Sequence, residues 1–254
     1  MMAFSIVRDR NTLGLAGCAS VALGILLFGA PSTSLASISV ATITMQLLKR
    51  GIRNISMAGI RPLNAPVQRI VGPAYTLRYV PWREDLSTPD MLGRADYPPR
   101  LAIEQAPPGS VLVIDGRGRG DIAVVGDLLV ERLKIRGVAG VVSDGGVRDC
   151  EEALAVGLAL YGSGPAAPAS VAGHAAADIE TAIACGGVAV FPGDIIAGDS
   201  DGVVVIPKAL AAEVGRDILR RGGFAVDAND FAIISVVPAV ATASSPTFEF
   251  QIGM

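Results

Sequence analysis

Val111-Leu112-Val113-Ile114-Asp115, Gly116-Arg117-Gly118-Arg119-Gly120, Asp121 to Arg136 and Gly137 to Ser143 follow one another directly, and their order decides the fold. The first is a short apolar run entered from Pro107-Pro108-Gly109, as a buried strand would be. The second is a glycine-rich loop. In the third, Leu128, Leu129, Leu133 and Ile135 mark a helix over 121–136. The fourth is apolar and too short to be a helix. Strand, loop, helix, strand is a βαβ unit.

Outward from this unit, Val40 to Arg53 carries Ile43, Leu47 and Leu48 and meets Gly51, where a left-handed cap is easy; it reads as the first helix. Ile70 to Val80 alternates and is rich in β-formers. Val156 to Tyr161, Gly187 to Phe191, Asp194 to Ala197 and Val203 to Ile206 supply four more short strands, and Ala209 to Arg221 reads as a helix. The expected fold is α/β, a mixed central sheet or small barrel flanked by helices.

The 254 residues, 51% of them apolar and 18% charged, can close one sizeable core, and the 30 Gly and 16 Pro spread along the chain indicate many tight turns. A formal charge of -3 and an aromatic share of 5% offer neither a basic face for a phosphate backbone nor a ladder for stacking bases, so direct nucleic-acid binding is not expected. Cys18, Cys150 and Cys185 form no CxxC pair, and His174 is the one histidine, which argues against a disulfide scaffold and a structural zinc site.

Both ends differ from the middle. In residues 1–36, Arg8 and Arg10 precede the apolar run Leu13 to Ala30 and a stretch ending Ser34-Leu35-Ala36. Three readings fit: a signal peptide cut after Ala36, an uncleaved membrane anchor, or a spurious extension ahead of a true start near Met45. Residues 37–221 form the expected catalytic domain. Residues 222–254, with no clear period from Phe224 to Met254, stay unassigned.

The chemistry concentrates in Gly126-Asp127-Leu128-Leu129 and Ser143-Asp144-Gly145-Gly146-Val147-Arg148-Asp149. If the first stretch opens a helix, its free amides and the positive end of the dipole make a site for a carboxylate. Arg148 offers a planar fork of donors for an oxyanion. Asp149 is a hard oxygen ligand that suits Mg²⁺ or Mn²⁺ better than zinc. Asp127 has two readings, a direct chemical role or a helix residue that complements the dipole. Arg-Asp neighbours are common on ordinary surfaces. Asp144 has three readings, orienting the loop, standing behind the metal or, ahead of Gly145-Gly146, forming the turn, the last being the commoner; His174 reads as a structural hydrogen-bonder and Cys150 as a small apolar residue. The loop 116–120 lacks a P-loop ending and a dinucleotide spacing, and reads as a solvated turn. Lys49, Lys134 and Lys208 all lie outside these glycine-rich loops, which disfavours a Schiff base.

Asp127, twenty intervening residues and then Arg148-Asp149 resemble the signature of the RraA-like proteins, a family of 4-hydroxy-4-methyl-2-oxoglutarate aldolases, oxaloacetate decarboxylases and RraA regulators of ribonuclease E. The resemblance extends from about Ile38 to Arg221, through Gln46 to Gly51, Val71-Gly72-Pro73-Ala74, Gly186-Gly187-Val188, Pro192-Gly193-Asp194 and Asp201 to Pro207. It implies a swivelling β/β/α domain, assembly as a homotrimer or a hexamer of paired trimers, and a cytoplasmic location. It also implies that the backbone of Gly126 to Leu129 and the Arg148 side chain hold the pyruvyl part of a small α-keto acid while Asp149 binds the metal. The activity implied is that of a class II aldolase or decarboxylase working through a pyruvate enolate; the alternative is a non-catalytic regulator of ribonuclease E. The apolar leader and the stretch Phe224 to Met254, where the family normally continues as a charged helix, depart from the pattern.

Overall fold

Strict alternation along short strands gives the sheet two apolar faces, and helices cover the outer one. The computed structural model describes residue 35, residues 37–220, and residues 234–236 and 250–252. Its strands are β1 (Arg61–Pro62), β2 (Ile70–Pro81), β3 (Val111–Asp115), β4 (Ala123–Val125), β5 (Gly140–Ser143), β6 (Gly146–Val147), β7 (Ala159–Gly162), β8 (His174–Ile179), β9 (Ile183–Cys185), β10 (Val188–Val190), β11 (Ile195–Asp199) and β12 (Gly202–Ile206). The helices are α1 (Val40–Lys49), α2 (Pro98–Gln105), α3 (Asp127–Ile135), α4 (Cys150–Ala155) and α5 (Lys208–Arg220).

Eight strands form the main sheet in the order β1-β7-β5-β3-β2-β11-β12, with β8 on the far half of β2. β2, β3, β5 and β7 run parallel, and the remaining pairs are antiparallel. Residues 55–62 nearly close the sheet into a barrel. At one end Met57 N donates to Val203 O and Val205 N to Ile55 O, and at the other β1 pairs with β7.

Val111 and Val113 point into the barrel with Val142, Tyr161, Ile196, Val203 and Val205. Leu112 and Ile114 point out, beneath Ala102, Val130, Leu133 and Ala153 of α2, α3 and α4. Val204 and Ile206 face α1 and α5 through Ile43, Leu47, Val214 and Ile218. Each such side chain, taken fully out of water, contributes about 1.5–3 kcal/mol. Asp199 docks α1, accepting from Val40 N at 2.9 Å, and Asp194 docks α5, accepting from Lys208 N at 3.0 Å.

The βαβ unit is present, with β3 and β5 parallel, and the first helix ends before Gly51 at φ 80°. Two boundaries and one helix face differ from expectation. The helix expected over 121–136 starts only at Asp127, because Ala123–Val125 pairs with β6 first. Leu128 and Ile135 face outward at 72% and 70% exposure, and Val130 and Leu133 form the buried face instead. The strand expected over 156–161 begins at Ala159, since α4 and the turn at Gly157, φ 72°, occupy the preceding residues. Sequence reading passed over α2, α4, β1, β4, β6, β8 and β9.

Residues 1–34 and 36, which carry most of the leader, lie outside the described residues, as does most of the tail. Within the tail, Ile234–Val236 and Phe250–Ile252 pair as antiparallel strands. No described helix is long and apolar enough to cross a membrane. Leu35 is fully buried against the α1 and α5 cluster, so a cut after Ala36 would remove a core side chain.

Gly146 is among the most tightly enclosed of the described glycines. A Cβ there would lie 2.4 Å from Ala166 Cβ and 2.7 Å from Gly120 O. Gly146→Ala is expected to destabilise the fold by about 1–3 kcal/mol, seen as a lower urea midpoint at unchanged slope.

Candidate functional site

The parallel pair β4 and β6 carries the site. Gly146 N donates to Ile122 O and Arg148 N to Val125 O, each at 2.9 Å, and the ladder ends with Gly126 beside Arg148. A Cβ on Gly126 would lie 3.5 Å from Arg148 Cβ and 3.7 Å from Asp149 Oδ2. Twenty residues of sequence separation thus become adjacency.

Gly126 is the N-cap of α3, and its carbonyl accepts from both Leu129 N and Val130 N. The amides of Asp127 and Leu128 are therefore the ones the helix leaves without an internal acceptor. Asp149 sits in the left-handed region at φ 47°, ψ 49°, as the N-cap of α4. Its carbonyl receives Ala153 N at 2.8 Å, but its carboxylate makes no capping bond. Arg148 Nη2 stands 3.8 Å from Asp149 Oδ2, with the two side chains 44% and 50% exposed. So open a pair adds little to stability, and both groups are available to a ligand.

Gly126, Asp127, Leu128, Leu129, Arg148 and Asp149, the six residues singled out from sequence, all line one cavity of about 330 Å³. That is room for a small acid. The remaining wall includes Tyr79 from β2, Arg100 from α2, Tyr97 just ahead of it, and Ser170 from a 3-10 turn. Sequence reading missed these because they stand singly, far apart, outside any motif. No lysine lines the cavity among the described residues; Lys134 Nζ instead donates to Val156 O and Gly157 O.

Asp144 is more than a turn former. Its carboxylate is buried and accepts from Gly116 N at 2.6 Å, Gly118 N at 3.0 Å and Gly186 N at 3.2 Å, tying the glycine-rich loop to the segment after β9. Asp115 receives Arg117 N and Ala184 N, and burial pushes its carboxyl up despite these bonds. Arg119 pairs with Asp121, and Arg117 Nη1 donates to Gly173 O, so neither arginine of that loop lines the cavity. Burial also raises the Cys150 thiol, which suits an inert residue.

Among the described residues no three His, Cys, Asp or Glu side chains gather to cage a metal. The donor set still fits a hard cation held by one carboxylate that otherwise keeps its waters, because the Asp149 carboxylate is half exposed and uncommitted. Asp127 and Asp149 are balanced around the cavity by Arg100 and Arg148, and a divalent ion held there would make the site positive toward an anionic ligand.

A barrel-like α/β sheet flanked by helices thus sets a helix N-terminus, an arginine and an aspartate at one cavity. The family model RraA-like, described as Aldolase/RraA, matches residues 35–205, and the chain belongs to that family. A Halalkalibacterium halodurans protein named "Putative 4-hydroxy-4-methyl-2-oxoglutarate aldolase" is 37% identical over 158 residues, 62% of this chain and 68% of that protein. Protein DlpA of Legionella pneumophila is 34% identical over 158 residues, which span 62% of this chain but only 24% of that longer protein. Among solved structures, Streptomyces coelicolor RraAS2, an unusual member of the RNase ES inhibitor RraA protein family, superposes with a TM-score of 0.67 at 31% identity, over 76% of this chain and 91% of that one.

His174 is fully buried beside Tyr79, with ring centroids 5.2 Å apart and no partner for Nε2. Burial first, then Arg117 and Arg119, push its imidazole down to about 4. An unfolded chain would protonate it near its ordinary value of about 6.5, so the stability it supports is present above that pH and lost as pH falls toward 4. A drop of up to about 3 kcal/mol over that window is expected in denaturant titrations, shallower in His174→Gln.

Proposed function

We propose that this chain is a divalent-metal-dependent lyase that cleaves a C–C bond of a small α-keto acid. The reactions are retro-aldol cleavage of the 4-hydroxy-4-methyl-2-oxoglutarate type, decarboxylation of oxaloacetate, or both. The observation that carries the reading is the meeting of the α3 N-terminus, Arg148 and Asp149 at one cavity of matching size. The name of the Halalkalibacterium halodurans relative supports it.

In this mechanism the substrate carboxylate lies on the amides of Asp127 and Leu128, favoured by the positive end of α3. The Arg148 guanidinium turns its fork to the keto oxygen and, always cationic, stabilises the negative charge that develops there. Asp149 would hold Mg²⁺ or Mn²⁺, which supplies Lewis-acid stabilisation of the same oxygen charge. In either reaction the scissile C–C bond leaves its electron pair on carbon, as the enolate of pyruvate. Asp127 takes the 4-hydroxyl proton when that bond is an aldol bond; in decarboxylation the departing group is CO₂ and no such proton moves. The other aldol fragment leaves as a carbonyl compound, and a proton, returned from Asp127 after aldol cleavage or taken from water after decarboxylation, converts the enolate to pyruvate.

Assembly as a homotrimer and a cytoplasmic location belong to the same reading and rest on family membership. The likeness to RraAS2 favours a second reading, a non-catalytic regulator that binds a ribonuclease.

The test is pyruvate release from oxaloacetate and from 4-hydroxy-4-methyl-2-oxoglutarate, with Mg²⁺ or with EDTA, corrected for spontaneous and metal-only decay. The wild type is expected to release pyruvate only with the metal, and Asp149→Ala to fall to background. Arg148→Ala should lose roughly 10²- to 10³-fold in kcat, the scale of a lost oxyanion donor. No release above background from folded wild-type protein would sink the lyase and leave the regulator.

A further inference from the structure

Four charged side chains line the cavity, and the chemistry proposed above uses three of them, Asp127, Arg148 and Asp149. The fourth is Arg100, an exposed residue of α2. Its Nη1 donates to Gly93 O at 2.9 Å, which ties the guanidinium to the end of the 3-10 turn Pro89–Gly93. Among the described residues that is its one hydrogen bond, and no carboxylate pairs with it. The carboxylates four residues to either side are already committed. Asp96 accepts from Arg94 through both oxygens, at 2.9 and 2.7 Å, and Glu104 accepts from Arg132 through both, at 2.9 and 2.8 Å. The Glu104 carboxyl is held below the usual carboxylate range first by its bond to Arg132, and Arg100 contributes the smallest part of that pull. Nη2 and Nε of Arg100 are thus left to a ligand.

Among the described residues lining the cavity, Arg100 and Arg148 are the only cations, and their settings differ. Arg148 has Asp149 3.8 Å away and the keto oxygen to serve. Arg100 stands where α2 opens on Pro98 and Pro99, which bring no amide hydrogen, so that helix start, unlike the start of α3, has little to offer an anion except the guanidinium. A dicarboxylate carries one carboxylate more than the α3 amides take, and Asp127 and Asp149 repel it from their part of the cavity. A planar guanidinium receives a carboxylate through two parallel N–H bonds and keeps its charge at any working pH.

We propose that Arg100 is the specificity residue for the distal carboxylate of the substrate, so that the cavity prefers 2-oxo dicarboxylates to 2-oxo acids with a neutral tail. This rests on the lyase reading and adds to it a residue that reading does not use. The two reactions then draw on Arg100 differently. In retro-aldol cleavage of 4-hydroxy-4-methyl-2-oxoglutarate the distal carboxylate leaves within the second pyruvate with its charge unchanged, so Arg100 holds ground state and transition state alike. In oxaloacetate the distal carboxylate is the group lost as CO₂, and its charge passes into the enolate as the C–C bond breaks. A cation resting on it stabilises the ground state more than the transition state and slows decarboxylation.

Binding is read by calorimetry with Mg²⁺ on the full chain, using 2-oxoglutarate and 2-oxopentanoate, acids of equal chain length that differ in the distal carboxylate. Wild-type protein should bind 2-oxoglutarate about tenfold or more tighter, and Arg100→Gln should bring the two affinities within about twofold. Arg100→Lys, which keeps the charge without the fork, should retain part of the preference. Binding of 2-oxopentanoate should be the same in all three proteins, which a general loss of structure at the Gly93 tether would not allow. In turnover, Arg100→Gln should raise KM for 4-hydroxy-4-methyl-2-oxoglutarate about tenfold at unchanged kcat, while kcat for oxaloacetate stays level or rises. Equal affinity of wild-type protein for the two acids, binding of neither, or a preference that Arg100→Gln leaves intact overturns the proposal. So does an equal fall of kcat on both substrates, which would put Arg100 at the pyruvyl end. If neither substrate yields pyruvate, the lyase reading fails by itself and the binding pair decides the role of Arg100.

Discussion

Two hydrogen bonds between β4 and β6 hold the candidate site in being. Neither strand is long enough to be stable alone, and they stand apart from the main sheet. What fixes them is close backbone approach: Gly146 has no room for a Cβ between Ala166 and Gly120, and Val147 N reaches on to Gly164 O. With that pairing set, Gly126 and Arg148 are neighbours by geometry, α3 must start where β4 ends, and its free amides face the same cavity as the arginine. A slip of one residue in so short a ladder would turn every side chain to the opposite face and dissolve the site.

Beneath this ladder lies a layer of buried carboxylates that carry no chemistry of their own. Asp144 gathers three amides from two distant loops, and Asp115 two more from the start of the glycine-rich loop and from β9. A carboxylate buried among backbone donors has nothing to gain from moving, so the floor of the site is rigid although it is built of glycine-rich loops. Asp149 is the opposite case. It shares the loop with Asp144, but its left-handed backbone turns the residue into a helix cap while its carboxylate goes unused by the cap. Side-chain type alone could not separate the two aspartates.

That contrast marks how far the sequence could be read. Strands β3, β5, β11 and β12 were legible because both of their faces are buried, so they appear as uninterrupted apolar runs between turn residues. The pair β4 and β6 was not, since strands as short as Ala123–Val125 and Gly146–Val147 have no period to detect. Leu128 and Ile135 misled for a physical reason: leucine and isoleucine count as core in any periodicity argument, yet here they project from the outer side of α3. The site residues near the glycines were legible because the chemistry of a helix N-terminus, an arginine and an aspartate is local. Tyr79, Tyr97 and Ser170 were not, because folding alone brings β2, the segment before α2 and a 3-10 turn to one wall.

The exposure of Arg148 and Asp149 also constrains how the cavity can act. Near half exposure, solvent screens the bare charge of either group, so a guanidinium standing near an anion is worth little by Coulomb attraction alone. What survives screening is direction. The α3 amides are fixed by the helix, and the Arg148 backbone is fixed by its bond to Val125 O, so the guanidinium has only its own side-chain torsions to settle when a ligand arrives. A flat acid with two oxygen-bearing groups engages amides and guanidinium at once and displaces water from both. A ligand with one such group engages either alone and leaves the other hydrated. On the proposed lyase reading, selectivity for a 2-oxo acid over a simple carboxylate would arise from the spacing that the β4 and β6 ladder imposes, ahead of any difference in charge.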